Sequence, residues 1–319
     1  MTRLRVAVAG VVRRRQGIGE HLARFAARDA DVVAFLGSRA ATLDEGRAVL
    51  ARHGIDARGF TDLAELLRTC PVDALVIASP AGTHLDLLEA ARDAGVHVLC
   101  EKPLVHGGPD DAAVTERLVA GFAERGLVLW ENCQWPFTLP AYDALHPGAR
   151  ERPLKHFEMW LSPMAGGGAS MLRECMSHPL SLLQVLAEPD GAISGLLFSS
   201  RDARADALEV SFRYPCGGAG AAVRVRLAAC PEQPRPAGFA VNGLRAERRV
   251  RLADYALSFR HGPREVPVPD PTPALVLAFL AAVRGGGEAA RGVSGHAVSW
   301  RARALAEIVA GFERVSGRM

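Results

Sequence analysis

Short apolar runs at residues 5–9, 31–36, 74–78, 96–100 and 127–130 alternate with stretches of helical periodicity, and this alternation constrains the fold more than any other feature. Strands separated by helices pair in parallel, because each crossover helix carries the chain back to the same end of the sheet. The first part of the chain is therefore read as a doubly wound parallel α/β sheet. Ligands of such sheets bind beyond the carboxyl ends of the strands. The run 96–100 ends there in Glu101-Lys102-Pro103, which sets an acid, an amine and a helix-stopping proline side by side.

Lys102 and Lys155 are the only lysines among 38 Lys plus Arg residues. Arginine keeps its proton in a protein, whereas a lysine desolvated at a strand end can pass one. A lysine retained in so arginine-rich a chain thus points to proton chemistry. Taken by position alone, an ordinary exposed lysine beside Glu101 explains it equally well.

The first strand runs into Gly10, and after a basic loop Gly17-Ile18-Gly19 opens a helical pattern at 20–28. Strand, glycine loop and helix are the first unit of a dinucleotide fold, in which helix N–H groups receive pyrophosphate. Val12 takes the place of the second glycine, and the loop, with Arg13, is longer than the motif allows. A plain strand-to-helix turn is the competing reading. The second strand ends in Gly37-Ser38-Arg39 rather than at an acid, which suits the 2′-phosphate of NADP(H) better than the bare ribose of NAD(H). Further expectations are helices at 47–53 and ahead of Pro71, the latter capped by Asp62, and a helix led by Thr83-His84 that stops at Gly95.

With 319 residues the chain has room for two domains, and 49% hydrophobic with 23% charged residues is the composition of a folded protein. A formal charge of +3 argues against a nucleic-acid footprint; the Arg13-Arg14-Arg15 run is too short to carry one. The 6 cysteines form no CxxC pair and the 10 histidines no ligand-spaced cluster, so reduced thiols and no metal site are expected. No apolar run has the length of a signal peptide or membrane span, which makes the cytoplasm the expected location.

Val76-Ile77-Ala78-Ser79-Pro80, Thr83-His84 and Ala94-Gly95-Val96-His97-Val98-Leu99-Cys100-Glu101-Lys102-Pro103-Leu104 together make residues 5–104 resemble the glucose–fructose oxidoreductase, inositol dehydrogenase and rhizopine-catabolism (Gfo/Idh/MocA) family. The resemblance implies an NAD(P)-dependent oxidoreductase acting on sugars, cyclitols or related carbonyl compounds. It places Lys102 near nicotinamide and substrate. It also implies cofactor contacts from Gly10, Val12, Arg13, Gly17, Ser38, Arg39, Ser79, Pro80, His84, Glu101 and Lys102.

The domain boundary is expected near residue 130, leaving 1–130 as the Rossmann domain and 131–319 as an α+β substrate-binding and oligomerisation domain. Where the family usually carries an Arg-Phe-x-Pro-like element, this chain has Gln134-Trp135-Pro136-Phe137. The cation is gone, while Trp135 could stack on a flat apolar surface or simply fill the core. Period-two runs at 157–161, 208–214, 223–227, 239–242, 249–252 and 255–259 predict a large, mostly antiparallel, open-faced sheet. The resemblance implies that this sheet mediates homodimers. Glu174 and His178, four apart after a glycine run, would project from one face of a helix, where the acid can orient the imidazole. They align with the Asp and His of the family, the Glu being one methylene longer. Lys102, His178 and Glu174 are thus the candidate catalytic residues, and Gln134 and Trp135 join them as candidate substrate contacts. Two other readings stay open: a reductase of a ketone, aldehyde or imine intermediate, and a non-catalytic ligand-binding or partner subunit.

Overall fold

The computed structural model describes residues 3–12, 18–106, 108, 110–200, 206–285 and 292–317. Two compact units form, one from Met1–Cys133 with Thr272–Ser299, the other from Gln134–Pro271 with Trp300–Met319. The sequence reading ran the second domain unbroken from 131 onward. Residues 272–299 group with the first unit instead: the Phe279 ring meets Trp130 edge-on at 6.0 Å, and the Glu131 amide donates to the Val293 carbonyl.

The first unit contains β1 (Leu4–Ala9), α1 (Ile18–Ala26), β2 (Ala30–Leu36), α2 (Ala40–Ala51), β3 (Arg58–Phe60), α3 (Leu63–Thr69), β4 (Ala74–Ile77), α4 (His84–Asp93), β5 (His97–Cys100), α5 (Asp111–Glu124) and β6 (Leu129–Glu131). All strand pairs are parallel, in the order β3-β2-β1-β4-β5-β6. The order reverses between β1 and β4, so the carboxyl ends of these two strands flank the crevice where such sheets take ligands. β4 is buried at every position, which is why its sequence is continuously apolar rather than alternating.

Two local differences from the sequence reading have simple causes. α2 begins at Ala40 rather than 47, because Thr42 closes the first turn, donating from Oγ1 to the Arg39 carbonyl at 2.7 Å. The short edge strand β3 carries no periodic signal in Arg58-Gly59-Phe60. It forms because the Phe60 carbonyl accepts from Gly37 and Gly59 lies flat against the Phe35 ring. The Asp62 cap forms as expected, its carboxylate accepting from the Glu65 amide at 2.7 Å.

Asp73 ties the foot of the sheet, accepting from the Arg5 backbone amide at 2.7 Å and from both ends of its guanidinium. The Arg5 hydrogen bonds hold its carboxyl below the usual Asp range. The unfolded chain therefore binds the proton more tightly than the folded one. The contribution is complete above the unfolded Asp value of about 4 and disappears as pH falls through the depressed folded value. Asp73→Asn is expected to lower Tm by about 1–3 °C near pH 7, the gap closing below about pH 4, because exposed ion pairs contribute little. Thermal melts of both proteins between pH 3 and 7 check this; a gap that widens in acid contradicts it.

The second unit contains α6 (Leu139–Leu145), β7 (His156–Leu161), α7 (Gly168–Cys175), α8 (Ser177–Leu186), β8 (Ser194–Ser200), β9 (Ala207–Tyr214), β10 (Ala221–Ala228), β11 (Ala237–Val241), β12 (Leu244–Arg251), β13 (Ala256–His261) and β14 (Arg264–Val268). α9 (Pro271–Val283) lies almost wholly in the first unit, and α10 (Gly295–Ser316) starts in the first and ends in the second. The sheet order is β14-β13-β12-β11-β7-β10-β9-β8, antiparallel except for the β10–β7 pair. β10 alternates buried and exposed at every step, the covered side facing the core around Phe239. The edge strands β8 and β14 were not expected from sequence. Ser194-Gly195 opens one, and Pro267 interrupts the other at a position only an edge strand tolerates.

Candidate functional site

Gly10 leaves β1 with φ +87°, and a Cβ there would lie 2.7 Å from the backbone of Ala78 and Ser79 at the end of β4. Gly19, in the first turn of α1, would bring a Cβ to 2.3 Å from the Gly10 carbonyl. These glycines let the ends of β1 and β4 and the start of α1 approach one another at the switch point, the close packing of a dinucleotide-binding turn. Gly19 was not among the expected cofactor residues; its place in the glycine pair is the signal that could have found it. Val12 is half-buried just before the loop, whereas Arg13 and Gly17 lie outside the described residues.

Ser38 and Arg39 follow β2 and are both exposed. Arg39 makes no ion pair among the described residues, so its guanidinium is open to an anion. Ser79 and Thr83 share a hydroxyl hydrogen bond of 2.7 Å across the turn through Pro80. His84 is 1% exposed, and its ring nitrogens lie 3.0 Å from the Ser79 and Pro103 carbonyls. One nitrogen donates in either neutral tautomer. The ring thus ties the loop after β4 to the loop after β5.

Glu101 and Lys102 are half-buried beyond β5, and the Asn132 amide group donates to the Glu101 carboxylate. Glu131, 4% exposed, accepts from the Leu104 amide and from the Cys133 thiol. The loop bearing Lys102 is therefore held by Glu131 and Asn132 at the end of β6. Both escaped the sequence reading, although two polar residues at the end of an apolar strand are a visible signal. Beside them burial pushes the Cys100 thiol well up, so it stays protonated.

In the second unit Glu174 and His178 do not share one uninterrupted helix. α7 ends at Cys175 and α8 starts at Ser177, because Pro179 has no N–H to donate to the Cys175 carbonyl. Met176 keeps right-handed helical angles, so the chain continues to turn. Glu174 is exposed; His178 is half-buried, its carbonyl accepting from the Ser181 hydroxyl at 2.9 Å. Upstream, Gly168 has φ +52° and faces the Phe312 ring, where a Cβ would come within 3.1 Å. Trp135, 8% exposed, meets Phe239 edge-on at 6.0 Å, and with Gln134 it lines a cavity confined to this unit. It is a core residue with one side on a pocket. Among the described residues no group of His, Cys, Asp and Glu has the geometry to hold a metal ion.

A six-stranded parallel sheet with a glycine-lined switch point, joined to an open-faced antiparallel sheet, defines the class of two-domain chains built on a dinucleotide-binding fold. Residues 4–133 match the "Oxidoreductase family, NAD-binding Rossmann fold". The stretch 4–133 is thus that of the Gfo/Idh/MocA oxidoreductase family. Inositol 2-dehydrogenase 4 of Saccharopolyspora erythraea is 37% identical over 112 residues, 35% of this chain and 33% of its own length. The matched part thus spans about a third of such relatives. Among solved structures, UDP-N-acetylglucosamine 3-dehydrogenase GnnA from Acidithiobacillus ferrooxidans superposes with TM-score 0.71 at 21% identity, covering 99% of this chain and 100% of that one. GenD2 from gentamicin A biosynthesis, in complex with NAD, gives TM-score 0.72 at 19% identity over 97% and 95%. The whole fold, both sheets included, is thereby that of these dehydrogenases.

Proposed function

We propose that the protein is an NAD(P)-dependent oxidoreductase that moves a hydride between nicotinamide and a carbonyl or alcohol carbon of a sugar-like or small polar substrate, with NADP(H) favoured. The observation that carries this reading is the Gly10–Gly19 turn at the switch point, with Lys102 presented at the end of β5 in the same sheet. The close approach of Gly10 to the end of β4 and of Gly19 to Gly10, which only glycine allows, fits a dinucleotide-binding turn, and the exposed Ser38-Arg39 pair fits a 2′-phosphate. The nicotinamide supplies the hydride when bound; this chain's residues position it and handle the proton. Lys102, braced through the Glu131 and Asn132 contacts around its loop, and His178 are the proton-carrying groups of this reading. Glu174 orients His178 or a substrate hydroxyl, and Gln134 and Trp135 contribute substrate contacts.

The dimer belongs to the same reading. On the outer face of the large sheet, Arg226 pairs with Glu209 and Glu158, and Arg245 lies 4.4 Å over the Trp160 ring. Rows of both signs with a half-buried aromatic are self-complementary under a two-fold axis. Titration with NADPH and NADH, followed by nicotinamide fluorescence, is expected to show NADPH at least tenfold tighter, about 1.4 kcal/mol, on a particle of twice the chain mass by light scattering. Tighter NADH would remove the role of Arg39, and a monomer would remove the dimer. Binding of neither cofactor would favour a non-catalytic subunit. Turnover of hydrophobic carbonyls but not sugars would favour the reductase of a biosynthetic intermediate.

A further inference from the structure

Along β12 the outward row is Arg245, Glu247, Arg249 and Arg251, and the inward row is Leu244, Ala246, Arg248 and Val250. Arg248 is therefore a cation on the covered side of the sheet. It pairs across to Ala237 on one neighbour and Phe259 on the other. Its guanidinium carbon lies 5.7 Å from the centroid of the Trp135 ring, and its Nη2 donates to the Arg235 carbonyl at 3.2 Å. The Nε atoms of Arg248 and Arg235 are both buried without an acceptor among the described residues. No carboxylate pairs with either guanidinium among those residues. Burial and the neighbouring Arg235 lower the pKa of Arg248, as befits a cation without a counter-charge.

Arg248 lines a cavity of about 130 Å³ together with Gln134, Trp135, Thr138, Phe259 and, on an exposed rim, Asp270. Whole-ligand pockets run to roughly 300 Å³ and more, so this one has room for a single group of a ligand. We infer that it is an oxyanion subsite, in which Arg248 binds a carboxylate or phosphate group of the substrate against the Trp135 ring. The inference rests on the oxidoreductase reading and adds a substrate class to it: an acidic or phosphorylated sugar. A planar guanidinium offers paired donors matched to either oxyanion. The cation absent from position 134 is thus supplied by a different strand, at a position that no motif marks.

The test is calorimetric titration of the full chain with glucuronate, inorganic phosphate and glucose, for the wild type, Arg248→Met and Arg249→Met. Arg249 sits one residue along on the outer face and controls for general charge. Expected is binding of one oxyanion by the wild type, at least tenfold weaker in Arg248→Met, unchanged in Arg249→Met, and absent for glucose; the preferred anion tells carboxylate from phosphate. Equal anion affinity in wild type and Arg248→Met, or no anion binding by the wild type, overturns the subsite. Should Arg248→Met lose its near-UV circular dichroism, Arg248→Lys keeps the charge without the fork and is expected to weaken binding severalfold; full affinity there overturns the fork geometry. NADPH fluorescence on the same samples separates the two readings. Retained cofactor binding with unaltered anion affinity sinks only the subsite, and lost cofactor binding in the wild type sinks the oxidoreductase reading.

Discussion

Lys102→Ala is expected to lower kcat by about 10²- to 10⁴-fold, some 3–5 kcal/mol of barrier, while leaving NADPH affinity within a few-fold of wild type. In the proposed chemistry the amine gives or takes the proton, and the loop that carries it is held independently of it. Glu131 accepts from the Leu104 amide, Asn132 donates to Glu101, and the His84 ring contacts the Pro103 carbonyl, so truncating Lys102 leaves this frame intact. Lys102→Arg should be nearly as impaired, because arginine keeps charge and reach but does not release its proton. His178→Ala is expected to fall in the same range. Steady-state turnover on the best substrate of a carbonyl and sugar panel, paired with NADPH titration, checks all three. Near wild-type turnover in both alanine variants would remove the proposed proton chemistry.

Gly10→Ala should be strongly destabilising, at about 2–5 kcal/mol of stability. Two costs combine. The residue holds φ +87°, which an L side chain rarely adopts, and its new methyl would lie 2.7 Å from the Ala78 carbonyl carbon and the Ser79 amide, main-chain atoms of the neighbouring strand end. Backbone cannot swing aside as a side chain can, so β1 and β4 would have to part at the switch point. Gly54→Ala isolates the first cost: at φ +70° with nothing within 4 Å of the added methyl, it should lose only about 1 kcal/mol. Urea unfolding of both variants makes the comparison. Dinucleotide affinity should fall in Gly10→Ala alone, and equal stability losses at the two positions would show that the close approach carries no energy.

The parts of this protein readable in its sequence are those set by neighbours along the chain. The parallel sheet follows from buried runs such as Ala74–Ile77 alternating with helices, the Asp62 cap from an acid three residues ahead of an unpaired amide, and the second sheet from alternations such as 223–227. Each depends on a period or a local hydrogen bond, and these are properties of sequence. The family resemblance rests on the same stretch, since the matched region ends at 133, where the first pass through the first unit ends, just past β6.

Other features depend on partners far away in sequence. β3 forms because β2 and Gly37 offer Arg58–Phe60 an edge to pair with, and β14 because β13 offers it one. Residues 272–299 rejoin the first unit through Trp130 and Val293 contacts that no window of sequence contains. Pro179, plainly visible, breaks the helix expected to carry Glu174 and His178 together, yet Met176 keeps the turn going. Glu131, Asn132 and Arg248 show the limit most clearly. A charged residue at a strand end or on a strand face reads as solvated from sequence alone, because solvation is cheap and burial is the exception. Sequence by itself determined the sheet class, the glycine turn and the place of Lys102. Tertiary structure decided which polar groups are buried and what they hold, because burial is set by the strands and helices that pack over a residue and not by its neighbours in the chain.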